Sequence, residues 1–144
     1  MKRDLSGRLA LDASALIELV FSTPAGLKLR EALKNEAIEA YTTEIGIAEL
    51  RYVLCRRLGP VESRERVDKL LASGYIAIED TATLIDDASK YKCERALSLA
   101  DCFTLALAYK AYCSALFARR EDELIQEIKR SPLETDVLFL EDYR

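Results

Sequence analysis

Leu97–Leu124 reads LSLADCFTLALAYKAYCSALFARREDEL, and its two halves follow different periods. The first half is small and apolar at helical spacing, interrupted by a single carboxylate, Asp101. After the turn at Tyr112-Cys113, the run Ala115 to Ala118 has the length and apolar character of a buried strand. Arg119-Arg120-Glu121-Asp122-Glu123 then places a knot of charge on a strand-to-helix connection. A helix feeding directly into a short buried strand is the unit from which parallel sheets are built.

The same alternation extends in both directions. Leu9-Ala10-Leu11 reads as a short strand ending at Asp12, followed by a loop and then a helix through Phe21. Thr23-Pro24 offers an N-cap and a first-turn proline for a helix reaching about Asn35. Strands are expected near residues 9–12, 38–42, 75–79, 114–118 and 137–140. Helices are expected over 44–58, where Thr42-Thr43 with Glu44 supplies the start, then 61–73, 80–91 and 98–111. Five strands separated by helices predict one α/β domain spanning 1–144, with a mostly parallel sheet covered on both faces.

Composition narrows the chemistry. The chain has 144 residues, half of them hydrophobic, and a formal net charge of −4. That balance argues against coating nucleic acid by bulk charge, although local Arg clusters can still hold a strand beside an acidic site. No apolar run approaches the roughly 18–20 residues of a membrane span, and the first residues do not read as a secretory signal, so a cytoplasmic protein is expected. Cys55, Cys93, Cys102 and Cys113 form no CxxC pair and read as buried free thiols. There is no His, which removes Cys/His zinc sites and every imidazole-based acid–base scheme.

Two helical acids interrupt apolar faces. Glu49 shares a face with Ile45, Tyr52 and Val53, and Asp101 shares one with Leu97, Leu105 and Ala108. A buried ionised carboxylate without a partner costs several kcal/mol, so each needs a cation or a proton. Taken singly, each acid has a plain structural role. Asp12 can cap a helix, Asp101 can complement a helix dipole, and Glu121-Asp122-Glu123 can be a solvated loop. Taken together, Asp12, Glu49, Asp101 and Glu121 all fall at the carboxyl edge of the sheet, where open α/β folds bind ligands. A crowd of carboxylates with no His and no suitable Cys calls for a hard divalent cation, Mg²⁺ or Mn²⁺.

These residues resemble a PIN domain, the metal-dependent nuclease fold of VapC-type toxins in toxin–antitoxin pairs. Asp12 in LALDASALI matches the first acid, Glu49 in TTEIGIAELRYVL the second and Asp101 in LSLADCFTLALA the third. The family often carries Thr-x-Asp after the fourth strand, and here Arg119-Arg120-Glu121 stands in that place, with Asp122 and Glu123 as neighbouring substitutes. The resemblance implies a three-layer α/β/α fold with a five-stranded parallel sheet ordered 3-2-1-4-5, and a ribonuclease that uses Mg²⁺ or Mn²⁺. It assigns Asp12, Glu49, Asp101 and Glu121 to the metal and the reaction, with Ser14 either bonding the acids or capping the first helix. Arg56, Arg57, Arg119, Arg120 and Lys110 are candidates to grip RNA, or are simply solvated helix ends. It further implies a homodimer and a small antitoxin partner. The competing readings are a degenerate PIN-like domain that binds RNA or protein without cutting, and a receiver-type phosphoryl-transfer domain. The second is disfavoured because no further acid flanks Asp12 and no Lys closes the fourth or fifth strand.

Overall fold

The computed structural model describes residues 4–143. Twelve helices and strands follow one another as β1 (Gly7–Leu11), α1 (Ala13–Val20), α2 (Pro24–Lys34), β2 (Ile38–Thr43), α3 (Glu44–Leu58), α4 (Pro60–Ala72), β3 (Ile76–Glu79), α5 (Ile85–Glu94), α6 (Leu99–Lys110), β4 (Ser114–Phe117), α7 (Asp122–Arg130) and β5 (Val137–Phe139). All neighbouring strands pair in parallel, in the order β3-β2-β1-β4-β5. The five-stranded parallel sheet and its order are those expected.

Alternation along β1 divides the interior. Leu9 and Leu11 point into one apolar cluster with Leu16, Leu29, Leu50, Leu54 and Val67 from α1 to α4. Ala10 points the other way, into a cluster with Ala88, Leu105, Ala106 and Leu124 from α5, α6 and α7. Each fully buried leucine contributes about 1.5–3 kcal/mol, so the two helical layers hold the sheet from both sides. The small side chains matter as well. Ala10 pairs with Ala115 of β4, which lets the buried helix α6 lie close to the sheet centre.

Capping fixes the upper edge. Asp12, Thr23, Thr43 and Ser98 each accept a backbone N–H at the start of α1, α2, α3 and α6. Three of these starts follow a strand or lie beside one, so the caps also determine which residues face the sheet's carboxyl end.

Some local expectations are corrected. No loop separates β1 from α1, because Asp12 ends the strand and caps the helix in one step. The helix expected over 80–91 begins instead as a short 3₁₀ turn at Thr81–Thr83, with α5 starting at Ile85. The Thr83 hydroxyl has two acceptors within reach, Asp80 O at 2.8 Å and Glu79 Oε1 at 2.9 Å, and a local bond to either competes with an α-helical start. Asp122 and Glu123 lie in the first turn of α7 and not on a loop, where they complement its dipole. All four cysteines are free, as expected, but only Cys102 is buried; Cys55 and Cys93 lie on the outer faces of α3 and α5.

Gly26 is set by contact. A Cβ there would stand 1.9 Å from the carbonyl oxygen of Glu18, so α1 and α2 touch backbone to backbone. Gly26→Ala should therefore force the helices apart, lowering stability by about 2 kcal/mol or more. Thermal unfolding should show a loss of about 5 °C or more. An unchanged Tm would mean that the helices have slack at this crossing.

Candidate active site

Strands leave β1 in opposite directions, β2 and β3 to one side and β4 and β5 to the other. The gap between the ends of β1 and β4 is therefore the switch point of the sheet, where ligands bind in open α/β folds. Asp12 follows β1 directly, and Glu121 follows β4. Asp101 sits in the first turn of α6, and Glu49 lies on α3 a turn and a half below its start.

Asp12 is 5 % exposed and held at both oxygens. Its Oδ2 accepts the backbone N–H of Ser14 at 3.0 Å, and its Oδ1 accepts the hydroxyl of Thr104 at 2.9 Å. The Asp12 N–H continues the ladder by donating to Leu116 O at 2.9 Å. Asp12, not Ser14, caps α1, and Ser14 meets the acid through its backbone alone. Its N–H bonds the acid, and its Oγ accepts the Ala118 N–H at 3.0 Å, clamping the start of α1 to the end of β4.

The other acids register one another's charge. Burial, reinforced by the charge on Asp12, pushes the Asp101 carboxyl from its ordinary 3.8 up to about 7. The Ser98 hydroxyl opposes the shift, while Glu121 and Glu49 add to it. Glu49 is also raised, by burial first and then by Asp12 and Glu121. Of the three neighbouring acids after β4, Glu121 is the one whose charge reaches Asp101 and Glu49; Asp122 and Glu123 are not among the causes. The structure thus brings all four expected acids into one electrostatic neighbourhood.

Among the described residues, no ion pair involves Asp12, Glu49, Asp101 or Glu121. The donor set is four carboxylates from four elements, with no imidazole or thiolate, which is the chemistry of a hard divalent ion. Among the described residues, no three such side chains already stand in a geometry that would hold a metal. The donor set fits such an ion in its chemistry.

The candidate RNA-gripping residues are placed more diversely. Arg119 is exposed and pairs with Glu18 at 3.2 Å. Arg120 is committed within the chain: it donates two bonds of 2.7 Å to Asp142, and its guanidinium stacks 4.7 Å from the Phe139 ring. Arg56 lies over Tyr52 and Arg57 over Phe21, and Lys110 pairs with Glu79 at 3.2 Å. Arg56 and Arg57 stand about 10–12 Å along α3 from Glu49.

Sequence reasoning missed Thr104 and Ser98. Thr104 is the one hydroxyl in the wholly buried run Cys102–Ala108 of α6, and a buried hydroxyl must find an acceptor. A helical Thr can satisfy that need with its own i−4 carbonyl, so the sequence alone does not reveal the longer reach to Asp12.

Residues 9–130 match the PIN domain family. The chain belongs to that family. No curated protein matches the sequence. Among solved structures, this PIN domain is similar in fold to Mycobacterium tuberculosis VapC20, a sarcin-ricin loop cleaving toxin. That likeness has 20 % identity, covers 82 % of this chain and 94 % of that one, and has a TM-score of 0.63. VapBC2 from Rickettsia felis, bound to a DNA fragment from their promoter, gives 16 % identity, coverage of 90 % and 96 %, and a TM-score of 0.67. DNA-bound VapBC from Salmonella typhimurium gives 14 % identity, coverage of 92 % and 98 %, and a TM-score of 0.65.

The raised carboxyls make stability depend on pH in a defined direction. A folded-state pKa above the unfolded value stabilises at acid pH, and that contribution is lost as pH rises through about 7 for Asp101. In metal-free protein, Asp101→Asn should therefore melt several degrees above the unsubstituted chain at pH 8. The difference should shrink towards zero near pH 4. Thermal melts across that range check this, and a gap independent of pH would contradict the shared charge.

Proposed function

We propose that this PIN domain is a metal-dependent endoribonuclease, the toxin of a toxin–antitoxin pair, acting in the cytoplasm as a single-domain homodimer. The observation that carries the reading is the set of four carboxylates, Asp12, Glu49, Asp101 and Glu121, gathered at the β1–β4 switch point with no cation paired to them among the described residues. Family membership and the VapC and VapBC fold neighbours support it, one of them being a sarcin-ricin loop cleaving toxin.

Asp12, Glu49 and Asp101 would hold Mg²⁺ or Mn²⁺, and Glu121, exposed at the mouth of the site, would orient the attacking water. Such an ion, when bound, would supply a lowered water pKa and neutralise charge on the phosphate, so no imidazole would be needed. Ser14 holds the Asp12 carboxylate through its N–H and braces the end of β4 through its hydroxyl. Asp101, half protonated near neutral pH, must release its proton to act as a ligand, so ion binding weakens as pH falls below about 7. Arg119, itself exposed and two residues before Glu121, would exchange its half-buried partner Glu18 for an RNA phosphate. An acidic, uncompensated site also suits control by a partner that supplies positive charge, which is what an antitoxin segment would bring.

Purified protein should cleave structured RNA, ribosomal hairpins included, with Mg²⁺ or Mn²⁺, and stop cutting in EDTA. Asp12→Asn and Asp101→Asn should each lower the cleavage rate by about a hundredfold or more. Cleavage that survives EDTA or Asp101→Asn would overturn the assignment. Calorimetry showing no ion binding at millimolar Mn²⁺ would instead favour a PIN domain that binds without cutting.

A further inference from the structure

We propose that Thr104 is the positioning residue that orients the Asp12 carboxylate for a divalent ion, and that through it α6 fixes the spacing of Asp12 and Asp101. The inference rests on the metal-dependent reading above and adds a residue to it.

Thr104 is 2 % exposed, and its hydroxyl reaches Asp12 Oδ1 at 2.9 Å across 92 residues of sequence. Its alternative acceptor, Ala100 O, lies at 3.3 Å. A hydroxyl has one proton to give, and a bond to a carboxylate is shorter and roughly twice as strong as one to a neutral carbonyl. The proton therefore belongs to Asp12. The Ser14 N–H already serves the other oxygen, so each oxygen of Asp12 carries one neutral donor. A carboxylate offers about four acceptor positions, which leaves roughly half of them for an ion.

The helix supplies the rest. Thr104 follows Asp101 by three residues and so lies on the same face of α6. Cys102 through Ala108 are all buried, so this face is held by packing along its length. One rigid element thus carries an acid and also the hydroxyl that orients a second acid arriving from β1. Any shift of α6 moves both together, and their separation is preserved.

Mn²⁺ titration by calorimetry on the full chain tests this, comparing Thr104→Val, which keeps the shape, with Thr104→Ser, which keeps the hydroxyl. Circular dichroism confirms that each variant is folded. Loss of an outer hydrogen bond of this kind weakens ion binding by about tenfold, expected for Thr104→Val, while Thr104→Ser should bind close to the unsubstituted protein. A packing role gives the reverse order. Unchanged affinity in Thr104→Val, or an equal loss in Thr104→Ser, overturns the role of Thr104 and leaves the metal site standing. Should Thr104→Val fail to fold, a folded Thr104→Ser with tenfold weaker binding overturns it by itself. If the unsubstituted chain binds no Mn²⁺ at millimolar concentration, the metal reading fails, and the role of Thr104 fails with it.

Discussion

A buried carboxylate at the joint between β1 and α1 is the constraint on which this structure turns. Asp12 ends the central strand, caps the first helix and carries charge into a place that water barely reaches. Isolated burial of that charge costs several kcal/mol, and neutral hydrogen bonds recover only part of it. The surrounding elements are arranged around that cost. The Ser14 N–H and Thr104 hydroxyl meet the carboxylate, and the Thr42 hydroxyl, itself fully buried, donates to the carbonyl of Leu11 just before it at 2.9 Å. Three elements, α1, β2 and α6, are thereby tied to one residue's surroundings.

The sheet topology then multiplies the problem. Reversal of the strand order at β1 and β4, which run parallel, opens a crevice at their carboxyl ends, and each helix start nearby adds a group to it. Ser98 caps α6 so that Asp101 faces inward, and Thr43 caps α3 so that Glu49 lies a turn and a half below the edge. A cap is ordinarily a local device worth about 1 kcal/mol. Here the same caps settle which carboxylates meet, so local backbone chemistry is converted into the composition of the site. The consequence is visible in Asp101 and Glu49, whose carboxyls are both raised by burial and by their acidic neighbours.

Much of this is legible in the sequence, for reasons that differ between elements. Strand order and the two covered faces follow from alternating helix and strand periods, and those periods are strong because the core is built from Leu and Ala. Asp12, Glu49 and Asp101 stand out because each breaks an apolar pattern. Glu121 does not break a pattern, and only its position relative to Asp101 and Glu49 separates it from Asp122 and Glu123. Thr104 is illegible for a different reason: its hydroxyl could be satisfied within its own helix, so nothing local signals a partner on β1. Arg120 is illegible for the converse reason. Two adjacent arginines after a strand look equivalent, yet one is exposed beside Glu18 and the other is bound to Asp142 and stacked on Phe139. That partner lies in the C-terminal segment, whose return to β4 is a tertiary fact.

The choice of neutral donors around Asp12 follows from what the site would have to do. A lysine or arginine beside the carboxylates would settle their charge at once and hold their pKa values low. It would also stand where an incoming divalent ion must stand. The nearby cations are instead directed elsewhere, Arg119 to Glu18, Arg120 to Asp142 and Lys110 to Glu79. Hydroxyl and amide donors orient a carboxylate without neutralising it, so the acids keep their attraction for a cation. The cost is a metal-free state that is less stable at neutral and higher pH than its packing alone would make it. That cost would be relieved by a divalent ion or a basic segment of a partner that neutralised the acids. Binding at this site would therefore be linked to the stability of the fold through Asp101 and Glu49.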